Sequence, residues 1–416
     1  MMASFETCTG PVRRRVRAAA VLGGALALLG ASPAWTAERM VYSGTLGTAQ
    51  VVMELSSSED SQRVTGRYFY LRYGIDIPLS GTPGALAEAI PLADESEGGN
   101  APVFEDAGTG KPAVVWDGRL HGARRDRYEG QWRDARSGRT LPFALRRVAA
   151  YDPDAAAPDS VEAATISMAS APYDFLRMQV PMTAGAEVRL GPVAYRMVVD
   201  PRTQFAYPRL TRHPDPAVMA RANAILEQRH WHMSVEALAC KGTLYTSTGP
   251  AAGTLGGFDN ESISVEFLSP TLMSVAESGS TDCGGAYPNN HFDPFTLDLR
   301  HGGYLDFNRL LDAGVRDEYG KLDPSPALAA FIDRHPASRQ GDLDDNCGGE
   351  TLKDYLALYF QSSDKLALAV SDIPHVMGAC LGPQIAVPVK DLGTLLKPEA
   401  ARYFPDLALP AMKADG

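Results

Sequence analysis

The chain is short of the features that mark most familiar activities. Cysteine is scarce, five in 416 residues, and no two cysteines have the close spacing of a zinc clip. There is no Gly-x-Ser-x-Gly, no His-Glu-x-x-His and no Ser-x-x-Lys with its partner motifs, so the common signatures of nucleophilic and metal-assisted hydrolysis are missing. Basic residues are outnumbered, 39 Lys plus Arg against 50 Asp plus Glu for a net charge of −11. Phosphate backbones demand clustered cations, which excludes nucleic acid as the main partner. Arg124, Arg125 and Arg127 therefore read as solvated surface. No run after residue 31 approaches the roughly 20 apolar residues of a membrane helix, so no membrane span is expected in the mature chain.

What is present begins with an address. Arg13, Arg14, Arg15 and Arg17 precede an apolar run from Ala18 to Ala31, and Ser32-Pro33-Ala34 and Trp35-Thr36-Ala37 follow. This order predicts a secretory signal peptide over residues 1–37 and a soluble periplasmic or secreted product. The residues after the arginines do not follow the twin-arginine pattern, and Cys8 precedes the run, which excludes a lipobox. Without this segment 35 basic and 49 acidic residues remain, a net charge of −14. Residues 151–416 carry −13 of it and 38–150 only −1. Such a field favours cationic partners. Four cysteines remain, Cys240, Cys283, Cys347 and Cys380. An even number in an exported chain predicts two disulfides, with three pairings open. Cys240–Cys283 and Cys347–Cys380 are favoured because each closes a local excursion. No cofactor is expected, and the oligomeric state is left open.

From Arg39 to Val148 apolar residues alternate in short runs broken by glycine. Val51, Met53 and Leu55 share one parity; Thr65, Phe69, Leu71 and Tyr73 oppose Val64, Tyr68 and Tyr70. About eight short strands predict an all-β module over 38–150, a small barrel or meander. Ligand carriage inside it would need an interior not filled by Tyr68, Phe69, Tyr70 and Trp132. Residues 151–165, rich in Pro, Ala and Asp, read as a linker. An α+β domain with antiparallel sheet follows, as a companion subdomain over 166–282, a main part over 283–400 and a tail over 401–416. Strands are expected at Met178–Met182 and Val193–Val199, and a helix at Pro216–Val235 behind Asp215. Further strands are expected around Val265, Leu272–Ala276, Leu297, Leu368 and Val387. Helices are expected at Phe307–Ala313, at Pro326–His335 and through Leu395 and Leu396.

Two resemblances follow from particular residues. Tyr42-Ser43-Gly44-Thr45-Leu46-Gly47, Gly66-Arg67-Tyr68-Phe69-Tyr70, Gly130-Gln131-Trp132 and Leu141-Pro142-Phe143 resemble a small lipocalin-like module of exported bacterial proteins, which implies a scaffold or binding role. Gly284-Gly285-Ala286-Tyr287-Pro288, then Phe295-Thr296-Leu297-Asp298-Leu299, Gly303, Leu305 and Leu310-Leu311, are followed by Leu366-Ala367-Leu368-Ala369-Val370 and Ile385-Ala386-Val387-Pro388-Val389. Their order resembles the extracytoplasmic domain shared by a lysozyme-sensing anti-sigma factor and the non-catalytic part of a peptidoglycan deacetylase. Tyr207-Pro208-Arg209-Leu210 and the helix with Asn223 resemble the companion subdomain. Tyr287 stands where that family has histidine. The resemblance implies binding of a protein, lysozyme-like and cationic, or of a cell-wall ligand.

The ligand-binding candidates are Tyr287, Asn289, Asn290 and His291, an aromatic, two amides and an imidazole at a sheet edge. The glycines beside them also have a structural reading as turn punctuation, which is preferred. His230-Trp231-His232 is weighed as a metal site and set aside, since positions two apart do not share a helix face, in favour of histidines capping a helix end. Asp342-Leu343-Asp344-Asp345-Asn346 starts like a calcium loop but has Cys347 and Lys353 at the Gly and Glu positions, so a solvated turn is preferred. Ser278, Ser280, Asp282 and His291 read as a polar hairpin end. The chain is thus expected to be a non-catalytic envelope binding protein. The alternative is a cell-wall glycan or ester hydrolase or deacetylase with an unlocated carboxylate/His site. Acidic and His side chains converging in a deep pocket near Tyr287 and His291 would favour the enzyme; a flat edge with scattered aromatics would favour binding.

Overall fold

A computed structural model describes residues 38–57, 63–92, 101–106, 108–153, 165–285, 287–317, 320–335, 347–361 and 365–405. The expected signal peptide, most of the linker, Asp342–Asn346 and most of the tail lie outside the described residues.

The alternating runs form β1 (Arg39–Leu46), β2 (Ala49–Ser57), β3 (Val64–Tyr70), β4 (Ile77–Thr82), β5 (Ala85–Glu88), β6 (Val114–His121), β7 (Arg127–Asp134) and β8 (Arg139–Tyr151). Each pairs antiparallel with the next, and β8 returns to β1 with Phe143 opposite Leu46, closing an up-and-down barrel. Closure leaves no open edge in this sheet. Tyr42, Met53, Tyr68, Trp116, Tyr128 and Phe143 fill the interior. Trp116 packs edge-on at 5.0 Å from Tyr68 and 4.8 Å from Phe143. Gly118 makes this crowding feasible, because a Cβ there would lie 2.5 Å from Phe143 Cζ. Inside the barrel, Glu88 Oε1 accepts from Tyr68 Oη at 2.8 Å, Trp116 Nε1 at 2.7 Å and Trp132 Nε1 at 2.5 Å. Burial still raises its carboxyl above the usual range, against these three bonds. Phe69 does not fill the interior. It faces outward with Val41 and Val52 and meets Tyr173 edge-on at 4.8 Å.

That outer face is covered by α1 (Pro172–Arg177), where a strand was expected nearby. Met178–Met182 is irregular chain, and the strand starts at Thr183. The apolar residues of 175–178 pack as one helical turn rather than by alternation, with Met178 meeting Trp231. The barrel and the rest of the chain share an ion network at Asp76. Its carboxylate accepts from Arg67 at 3.0 Å, Arg177 at 2.7 Å and Tyr173 Oη at 2.8 Å.

The α+β region follows. β9 (Thr183–Leu190), β10 (Val193–Val199) and β11 (Ala206–Arg212) form a sheet in the order β11-β10-β9. The long helix α2 (Pro216–Gly242) packs on β11. Asp215 caps it, accepting from Ala217 N at 2.8 Å and Val218 N at 3.2 Å, with Pro216 in the first turn. The helix runs past the expected end at Val235, so His230 and His232 sit inside it rather than capping its carbonyls.

Next come β12 (Ser262–Leu268), β13 (Leu272–Thr281), β14 (Asn289–Asp298) and β15 (Gly303–Tyr304), paired in that order. β16 (Gly314–Arg316) and β17 (Leu322–Pro324) make a small hairpin, followed by α3 (Pro326–Arg334) and α4 (Gly349–Asp354). β18 (Leu356–Gln361), β19 (Lys365–Val370) and β20 (Gly382–Pro388) complete the last antiparallel sheet. Only Phe307–Arg309 of the expected helix at Phe307–Ala313 winds, as a single tight turn, and Val389–Leu395 likewise replaces a regular final helix. Leu310, Leu328, Leu352, Leu368 and Ile385 share one core; Ala222, Leu226, Met273 and Leu297 share another, under α2. Cys240–Cys283 and Cys347–Cys380 are the disulfides, with Cα atoms 5.2 and 5.3 Å apart.

Candidate functional site

One face of α2 and one face of the β13–β14 hairpin enclose a cleft of about 920 Å³, within the size range of ligand pockets. The helix supplies Ile225, Arg229, His232 and Glu236 to the lining. Their spacing of three and four residues puts them on one stripe, and Cys240 continues it. The hairpin supplies residues that alternate along each strand and pair across it: Glu277 with Asp293, Gly279 with His291, Thr281 with Asn289. Period two sends these side chains to a single face.

Glu261, just ahead of β12, reaches into the same row. Its carboxylate hydrogen-bonds His291 Nε2, and its side chain is 0% exposed. It passes over Gly279, where a Cβ would lie 2.0 Å from Glu261 Oε2. The bond to Glu261 raises the His291 imidazole above its ordinary value, against desolvation. Nδ1 of the same ring is buried as well. Arg229 grips Glu277 with both nitrogens, Nε at 2.7 Å and Nη2 at 2.8 Å, reaches Asp293 with Nη2, and lies 4.1 Å over the Phe295 ring. Tyr207 Oη also donates to Glu277. Glu236 is exposed at the cleft. Its carboxyl is raised first by desolvation and then by Glu277 and Glu261, with His232 and His291 opposing.

The four sequence candidates separate. Asn289 and His291 line the cleft. Asn290 faces the other way, its Nδ2 being the nearest neighbour to a Cβ built at Gly378. Tyr287 is 71% exposed and stacks on His375 at 5.0 Å. His230 and His232 also part company: His230 is buried and stacked on Tyr207 at 5.4 Å, its pKa lowered to about 4 by desolvation and Arg209, whereas His232 faces the cleft. Among the described residues no three His, Cys, Asp or Glu side chains converge to hold a metal ion. Ser278 and Ser280 pair with Phe292 and Asn290, on the strand face opposite His291.

Arg229, Glu236, Glu261, Glu277 and Asp293 were missed in the sequence. The helical stripe from Arg229 through Glu236 to Cys240 was the available signal, since one of its members is bonded to Cys283 on the opposite wall. No helix of the described residues is long and apolar enough to cross a membrane, and the two disulfides are compatible with export. The chain matches no protein-family model, and no curated protein matches it in sequence.

Proposed function

We propose that the chain is an exported, non-catalytic binding protein of the cell envelope whose acidic cleft receives a cationic group from a protein or cell-wall ligand. One observation carries this reading. The cleft is lined by Glu236, Glu261, Glu277, Asp293 and Asp372, and Arg229, its only arginine among the described residues, is already committed to Glu277 and Asp293. An arriving ammonium or guanidinium gains attraction from a wall whose own cations are spoken for. Glu236 sits where its charge is disfavoured without a partner, so a bound cation would stabilise its ionised form. The resemblance of the 283–400 stretch to lysozyme-sensing domains adds a protein partner to the list. The filled barrel fits a scaffold better than a carrier. Capture of lysozyme at low and moderate salt tests the protein version, with Glu236→Gln, Asp372→Asn as the control. Absence of binding at every salt concentration removes lysozyme as the ligand.

Hydrolysis of a glycan or ester is the second reading, and it gains from the convergence of Glu236, Glu261 and His291 in one cleft. The geometry of the imidazole weighs against it. Its Nε2 is held by Glu261 and its Nδ1 is shielded, so neither nitrogen is presented to a substrate. Release of acetate or reducing ends from peptidoglycan by the wild type, abolished in Glu236→Gln, would reverse this preference.

A further inference from the structure

The β11-β10-β9 sheet has one edge left uncovered among the described residues. At the other edge β11 packs against α2. Every residue of β9 except Glu187 is exposed, Val188 at 44% and Leu190 at 48%. Such an edge presents unpaired N–H and C=O groups, and proteins usually blunt it with proline, lysine or a covering segment. β9 contains neither proline nor lysine. One irregularity opposite Met197 interrupts its start and leaves Glu187–Leu190 as a regular run.

Register decides what this run offers. Leu190 faces Val193 across the two-residue turn Gly191-Pro192, and the pair flanking such a turn exchanges both hydrogen bonds. By alternation Leu190 and Val188 direct their backbone groups to β10, while Glu187 and Arg189 turn theirs outward. Side chains alternate between the two faces. Val188 and Leu190 lie on the face of Tyr195, which packs against the core under α2. Glu187 and Arg189 lie on the opposite face beside Arg196. Glu187 accepts from Arg189 Nε at 2.6 Å and Thr211 Oγ1 at 2.8 Å, with Arg196 at 3.6 Å. The Arg189 side chain is 65% exposed, long enough to reach a strand added at the edge.

We infer that β9 docks against β9 of a second copy of this chain, antiparallel and about a two-fold axis at Val188. Glu187-Val188-Arg189 is complementary to its own reverse, so Glu187 of each copy faces Arg189 of the other and Val188 faces Val188. Glu187 and Arg189 are also the residues whose backbone groups point outward, so this axis brings them into hydrogen-bonding register. Val188 then forms the closer, non-hydrogen-bonded pair, with Leu190 diagonal to it, and both lose exposure. A peptide of another sequence would satisfy the backbone without matching both charges. The ladder is short, which makes the dimer weak and reversible.

Sedimentation equilibrium of the full chain from about 1 μM to about 0.5 mM tests it. The wild type should dimerise reversibly. Glu187→Arg and Arg189→Glu should each weaken the dimer about tenfold, since each sets like charges opposite one another twice. An equimolar mixture of the two variants should regain the dimer, because every facing pair is then opposite in sign. Arg189→Pro removes an outward N–H and leaves the β9–β10 ladder intact, so it should abolish the dimer while circular dichroism stays native. A wild type that stays monomeric throughout overturns the inference. Dimers of Arg189→Pro at wild-type strength, or single-charge variants that dimerise as well as their mixture, overturn it too.

Discussion

Gly279 has no side chain, and the missing atoms are the space that Glu261 occupies on its way to His291. Gly279→Ala should displace the carboxylate and destabilise the protein by about 1–3 kcal/mol in urea titrations. The His291 resonance should then titrate nearer its ordinary value. The sign of the pH dependence follows from the raised imidazole. Its stabilisation is fully present below the ordinary histidine value and is lost as pH rises through the raised folded value. The stability gap between wild type and Glu261→Gln should therefore narrow toward alkaline pH. A gap that widens there would mean that His291 is not held protonated by Glu261. At this scale the sequence was partly legible. His291 and Asn289 could be singled out by type, but Glu261 could not, because its reach across an intervening glycine depends on strand register rather than chain proximity.

Among the elements, α2 and the β13–β14 hairpin matter most, because they are the two walls of the cleft. Cys240 lies one helical turn beyond Glu236 on the same stripe, and Cys283 lies two residues beyond Thr281, so their disulfide ties the walls together at one end. A closed loop of 43 residues in sequence separation contributes about 4 kcal/mol by the chain-entropy estimate. Cys240→Ala, Cys283→Ala should lose stability of that order in a urea titration and weaken cation binding. The Cys347–Cys380 bond is packed in a core away from the cleft, so its removal should lower stability without that effect on binding once the protein is folded. Both pairings were favoured from spacing alone. The strands of the barrel were legible too, since a period of two with glycine breaks leaves few alternatives. Met178–Met182 was misread because the residues before it form a short helix whose Tyr173 and Leu176, three apart, cover the barrel from outside. That is a contact between distant segments, which local pattern does not encode.

At the scale of the molecule, the barrel and the α+β region are joined through Asp76 and the nearly inaccessible Arg177, whose side chain is 1% exposed. Asp76→Ala leaves that guanidinium with Asp174 at 3.3 Å as its one remaining carboxylate among the described residues, and loss of a buried partner costs about 3–5 kcal/mol. Differential scanning calorimetry should show one transition for the wild type and resolve the barrel from the remainder in the variant; a single unshifted transition in the variant would show that Asp76 does not couple them. Charge at this scale was legible from counting, which placed nearly all of the excess acid beyond residue 150. Where that acid is concentrated was not, because the cleft draws Glu236, Glu261, Glu277, Asp293 and Asp372 from separate elements.

Cation binding by that cleft is the central claim, and titration calorimetry of lysine amide into the wild type and into Glu236→Gln, Asp372→Asn tests it most directly. The expected result is saturable binding that weakens with added salt and falls about tenfold in the double variant, while the fold by circular dichroism is unchanged. Equal affinity in both proteins, or tighter binding of acetate than of lysine amide by the wild type, would contradict it.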